Sequence, residues 1–212
     1  MEKKRKIKLP YSEFKNFFEL MVRAIANNMG EPFNPDSMLA DGHALLADMD
    51  SKQLDADMFS LMKQTRADDA EDAAFAKLKL HLSNIKKFVD FVAGEKWLAT
   101  LDIPSRMPRS RAKVREAARA VLSAWDDHSA DPELAGVVSA MDELRDAFDA
   151  WTTAWDAQED ANRIKKEKYR EAREARAKCE KFVSRVKKYL SLHIAPDDSK
   201  WGLYGFEARG EE

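Results

Sequence analysis

The sequence predicts an all-α fold, an elongated antiparallel bundle of about six helices built as two related three-helix units. Three observations carry that expectation. The chain runs 51 residues from His43 to Ala93 and 59 residues from Val137 to Ala195 without a glycine or a proline. Both stretches are filled with Ala, Leu, Glu, Lys and Arg, so the good helix formers are present and the main breakers are not. Apolar residues also recur at steps of three and four along nearly the whole chain, the helical period. Finally, one layout occurs twice: a shorter helix, a proline-containing loop, then two long helices.

The elements follow in order. Tyr11, Phe14, Phe18, Met21, Ile25 and Asn28 form the stripe of a first helix, widened by Phe17 and Val22 and closed by Gly30 and Pro32. Glu31 to Asp36 reads as a loop in which Asn34 or Asp36 caps the second helix and Pro35 enters its first turn. That helix runs to about Arg66, with Leu39, Leu46, Met49, Leu54, Met58, Leu61 and Met62 as its apolar side. Phe75, Leu78, Leu82, Ile85, Val89 and Val92 mark the third, ending before Gly94. A segment without period, holding Pro104 and Pro108, connects the halves. Val114, Ala117, Val121 and Trp125 give the fourth helix, and Asp131 with Pro132 starts the fifth, whose stripe is Leu134, Val137, Met141, Leu144, Phe148, Trp151 and Trp155. Ala172, Ala175, Cys179, Phe182, Val186 and Tyr189 mark the sixth.

The stripe lapses between Trp155 and Ala172 and again between Met62 and Phe75. The lapses predict turns near Asp156 to Arg163 and Thr65 to Asp72, the latter capped by Asp68 or Asp69, and hence two hairpins. The alternative for the last two helices is one rod of ~60 residues, about 90 Å at 1.5 Å per residue. The expected organisation is a basic tail at 1–9, a first repeat at 10–98, a linker at 99–108, a second repeat at 109–192 and an aromatic segment at 193–212, with the repeats packed as one domain. Lys87, Phe88, Val89 and Val92 align with Lys181, Phe182, Val183 and Val186. In this layout the chain resembles uncharacterised bacterial proteins built from two helical repeats, whose last helix is followed by a polar stretch and a Gly-hydrophobic ending like Pro196 to Leu203. The resemblance implies a fold layout and no activity.

Composition narrows the function classes. Hydrophobic residues make up 44% and charged residues 35% of the 212, so the chain can bury a core and falls outside the disordered class. Cys179 is the single cysteine, which excludes an intramolecular disulfide and a cysteine-based zinc cluster and fits a reducing, cytoplasmic setting. Phe14 to Ala26 is broken by Lys15, Glu19 and Arg23, unlike a signal peptide, and no apolar run approaches the roughly 20 residues of a membrane span.

A net charge of -2 hides segregation by helix. Asp36 to Asp72 and Asp126 to Asp160 are strongly acidic, whereas Arg163 to Lys188 holds twelve basic residues against four acidic ones. Such blocks let acidic and basic helices attract as neighbours. Alternatively, Arg163, Arg170, Arg173, Lys181 and Lys188 form a stripe for the phosphates of nucleic acid or an anionic membrane. The KKRK within Glu2 to Lys8 reads as a solvated tail, with a localisation tag or anchoring arm as the alternative.

Signals for catalysis are missing. The residues three before His43, His81, His128 and His193 are Ala40, Leu78, Trp125 and Leu190, so no Glu-x-x-His pair exists for a di-iron bundle, and no His-Glu-x-x-His motif occurs. Gly-rich phosphate loops are absent as well, and no cofactor is expected. The expected role is a non-enzymatic structural or adaptor bundle for protein–protein contacts or self-association, with phosphate binding by 163–188 as the alternative. Trp151, Trp155, Trp201, Tyr204 and Phe206 are candidate interface residues, or else core.

Overall fold

A computed structural model describes residues 9–27, 35–195 and 198–206, with backbone alone at 35–37. The fold is an all-α bundle: six α-helices, and no strand among the described residues. They are α1 (Tyr11–Asn27), α2 (Pro35–Phe59), α3 (Thr65–Val92), α4 (Glu95–Thr100), α5 (Arg111–His128) and α6 (Val138–His193). A π-helical segment, Ser60–Gln64, joins α2 to α3, and 3-10 turns at Pro132–Val137 and Ser199–Tyr204 precede and follow α6. The basic start Met1 to Lys8, the stripe position Asn28, the Gly30–Pro32 stop, the candidate cap Asn34 and Pro196 lie outside the described residues.

Six helices form, but they are a different six from those expected. No turn occurs at Asp156–Arg163, because α6 is one helix of 56 residues. None occurs at Thr65–Asp72 either, since α2, the π segment and α3 follow one another without a break. High helix propensity continues through both lapses, and the polar residues there bond one another instead of starting turns: Gln158 Nε2 and Gln64 Nε2 each donate to Asp68 Oδ1 at 2.9 Å. The sixth helix is instead α4, which runs into the start of the stretch read as aperiodic, Trp97 to Pro108. With the residues after it, α4 adds Trp97, Leu101 and Ile103 to a core, so part of the expected linker is packed interior. Gly94, at φ 90°, makes the left-handed turn between α3 and α4 that a side chain would strain.

Two compact units result, and both draw on both halves of the sequence. The first takes Met1–Met58 with Lys166–Glu212, and the second takes Phe59–Lys165. In the first, Phe14, Phe18, Met21 and Ile25 of α1 pack with Met49 of α2 and with Cys179, Phe182, Val186 and Leu190 of α6. Pairs Asp41–Arg185, Asp48–Lys178 and Lys52–Glu171 run in opposite sequence directions, so α2 and this part of α6 are antiparallel. In the second, Leu78, Leu82, Ile85 and Val89 of α3 pack with Val114, Val121 and Trp125 of α5 and with Leu134, Val137, Met141 and Leu144. The pairs Asp68–Gln158, Glu71–Trp151 and His81–Glu143 make α3 and α6 antiparallel there too.

The second helix departs most from its stripe. Met49 is buried, but Leu54, Met58, Leu61 and Met62 are exposed, Leu61 to 76%. One series of buried positions, Met49, Ala56, Gln64, Glu71, Leu78 and Ile85, is separated by seven residues except for the eight-residue step from Ala56 to Gln64, with Leu82 and Val89 buried beside its end. That step contains the π segment, whose wider turn takes up one extra residue, about 100° of rotation in an α-helix.

Candidate functional site

Among the residues of the basic stripe, Arg163 belongs to the second unit and the other four to the first. All five are exposed. Arg163 pairs with Asp160 at 3.1 Å, and Arg170 lies 3.5 Å from Glu167 and 3.7 Å from Glu174. Arg173 donates from Nε to the Tyr169 carbonyl at 3.2 Å. Lys181 and Lys188 have no carboxylate partner among the described residues; Lys181 borders a shallow cleft of about 410 Å³ with Asp41, Lys178, Phe182 and Arg185. Local carboxylates therefore offset part of the stripe's field.

The candidate interface aromatics sit mainly inside. In the first unit, Trp201 and Tyr204 are buried and Phe206 half-buried. Asp198 caps their 3-10 turn by accepting from the Lys200 N–H, Trp201 Nε1 donates to the Ala195 carbonyl at 2.8 Å, and Gly205 turns the chain at φ 75° so that Phe206 meets Phe17 edge-on at 5.7 Å. A Cβ at Gly205 would also come within 3.0 Å of the Phe17 ring. Burial raises the Tyr204 pKa.

Trp151 in the second unit is 2% exposed and serves a polar cluster within the core. Its Nε1 donates to Glu71 Oε1 at 2.7 Å, and Arg111 Nε donates to the same oxygen at 3.0 Å. Glu71 is fully buried; its Oε2 lies 3.0 Å from the Arg111 guanidinium without hydrogen-bond alignment. The same guanidinium reaches Asp72 and stacks 5.1 Å from the Phe75 ring, and the bond to Glu71 raises its pKa. Trp155 is half-buried, its ring 5.7 Å from that of Trp151.

Sequence reasoning did not single out an open apolar surface at the end of α3 and the start of α6. Phe91 is 89% exposed, and Phe88 and Val92 of α3 and Val138 at the start of α6 are exposed as well. A groove of about 510 Å³ is lined by His81, Phe88, Phe91, Gly136, Ala140 and Glu143, among others. A Cβ added at Gly136 would stand 3.0 Å from Val92 Cγ1, so glycine permits the close approach of α3. The signal was present: Phe88 and Phe91 fall off the Phe75-to-Val92 stripe and had no place in the predicted core.

No group of three His, Cys, Asp or Glu residues that could hold a metal ion occurs among the described residues, and none of the described helices is long and apolar enough to cross a membrane. The chain matches no family model, no curated protein and no solved structure.

Proposed function

We propose that the protein is a non-enzymatic helical module that docks an apolar segment of a protein partner on the α3–α6 groove of its second unit. The observation that carries this reading is Phe91, an almost fully exposed aromatic bordering a groove that Ile85, Phe88 and Ala140 also line. Covering one such side chain contributes about 1.5–3 kcal/mol, so a partner that covers Phe88 and Phe91 together gains a useful share of binding energy. His81 and Glu143, 3.5 Å apart on the groove, offer polar contacts that would set register. A cytoplasmic setting is part of the reading and is supported by the single, buried cysteine. Phosphate binding by 163–188 has less support, because Arg163 and Arg170 already face carboxylates.

A photo-crosslinking amino acid at position 91 tests the docking. A discrete adduct, with another protein or a second copy, that disappears when Phe88→Glu is added supports it. Absence of any adduct at 91, or one indifferent to Phe88→Glu, overturns it.

A further inference from the structure

α5 places Arg111, Arg115 and Arg119 at successive steps of four, which puts three guanidinium groups along one helix face. Like charges at that spacing repel, and Arg111 alone of the three has carboxylate partners, Glu71 and Asp72. Among the described residues Arg115 and Arg119 have none. Arg115 Nε is moreover buried and without a hydrogen-bond acceptor. A desolvated charged donor without an acceptor is costly, and native structures satisfy such groups with protein, water or a ligand.

The three arginines border a cavity of about 330 Å³ whose other lining residues are Ala112, Glu116, Trp151 and Trp155. That volume is at the lower end of small-molecule sites. Arginine forks match the oxygens of a phosphate or carboxylate, and an indole face accepts a planar ring by stacking. Arg111 and Trp151 are held in place by Glu71, so part of the wall is pre-organised, while Arg115 and Arg119 keep their donors for an incoming anion. None of these residues lines the groove that carries Phe91.

We propose that this cavity binds a small organic anion in which a phosphate or carboxylate is joined to a planar ring, with Arg115 and Arg119 on the anionic oxygens and Trp155 against the ring.

Isothermal titration of the full chain with adenosine monophosphate and with phenyl phosphate tests the site, alongside inorganic phosphate and adenosine. At least one ring-bearing phosphate should bind, with inorganic phosphate and adenosine each about tenfold weaker or more, since each lacks one half of the recognition. Arg119→Gln, an exposed change that leaves the core intact, and Arg115→Gln should each weaken binding by about tenfold or more, while Arg170→Gln leaves it unchanged. Circular dichroism verifies that each variant is folded. Failure of both ring-bearing phosphates to bind overturns the proposal. So does binding no stronger than that of inorganic phosphate, or binding that survives Arg119→Gln.

Discussion

The two units solve one problem with different interiors. The first is lined by aromatic and aliphatic side chains, Phe14, Phe18, Phe182 and their neighbours, and its buried thiol, Cys179, donates Sγ–H to the Leu45 carbonyl at 3.4 Å. Its charges lie outside, in pairs such as Asp41–Arg185 and in the Tyr11–Asp50–Lys15 set, where Tyr11 Oη donates to Asp50 Oδ1 and Lys15 Nζ meets Oδ2, each at 2.7 Å. The second unit has a comparable apolar core but interrupts it with Glu71, Gln64 and their partners. Apolar burial tolerates many arrangements, whereas a buried carboxylate accepts only those that bring its donors. The polar layer thus restricts how α3, α5 and α6 of the second unit fit together, whereas no carboxylate is buried among the described residues of the first.

The largest expected effect probes the apolar side. Phe18→Ala removes a fully buried ring packed 5.7 Å from Phe182 and should cost roughly 4 kcal/mol, read from the urea midpoint. Glu71→Ala follows, at about 3 kcal/mol, because Trp151 Nε1 loses its acceptor and the half-exposed Arg111 its buried partner. If Glu71→Ala costs under about 1 kcal/mol, the contrast between the units collapses. Adding Trp151→Phe and Arg111→Met to Glu71→Leu should recover much of the loss, since an apolar layer of similar shape is often as stable.

Cys179 sharpens the comparison from the other side. Burial pushes its thiol from 9.0 up to about 11, so native protein holds the proton through a range in which the unfolded chain has lost it. Its contribution is full below pH 9 and falls between about 9 and 11, where the unfolded state binds fewer protons. Iodoacetamide at pH 8 should label Cys179 only after denaturant is added, as mass spectrometry would report; rapid native labelling would mean that this core opens locally. The smallest effect is Arg170→Ala. Its pairs are exposed, and the stability read from thermal melts should change by no more than about 0.5 kcal/mol.

Much of the fold was legible because burial follows the helical period wherever the core is apolar. Phe14, Phe18, Met21 and Ile25, and likewise Leu134, Val137, Met141 and Leu144, are buried as their spacing requires. What misled was the equation of a core with an apolar core: Gln64, Asp68, Glu71 and Gln158 interrupt the stripe yet face partners, so the lapses looked like turns. The surface features were harder still. Three arginines at steps of four are visible in the sequence, but that two tryptophans of α6 wall the same cavity depends on the packing of α5 against it. Phe91 was visible only as a residue left over.

The π segment is a phase adjustment. A helix of uniform pitch would carry one surplus residue forward as a rotation of every side chain after it, moving Glu71 and Leu78 away from their partners. Confining the surplus to Ser60–Gln64 lets Met49 and Ala56 before it, and Glu71 and Leu78 after it, keep their own alignments. A single-residue deletion within 60–64 would restore ordinary α-helical winding with the downstream phase intact, whereas the same deletion a few turns away would throw the seam out of step. Within the run from α2 to α3, Ser60–Gln64 is thus a place where the length can change by one residue.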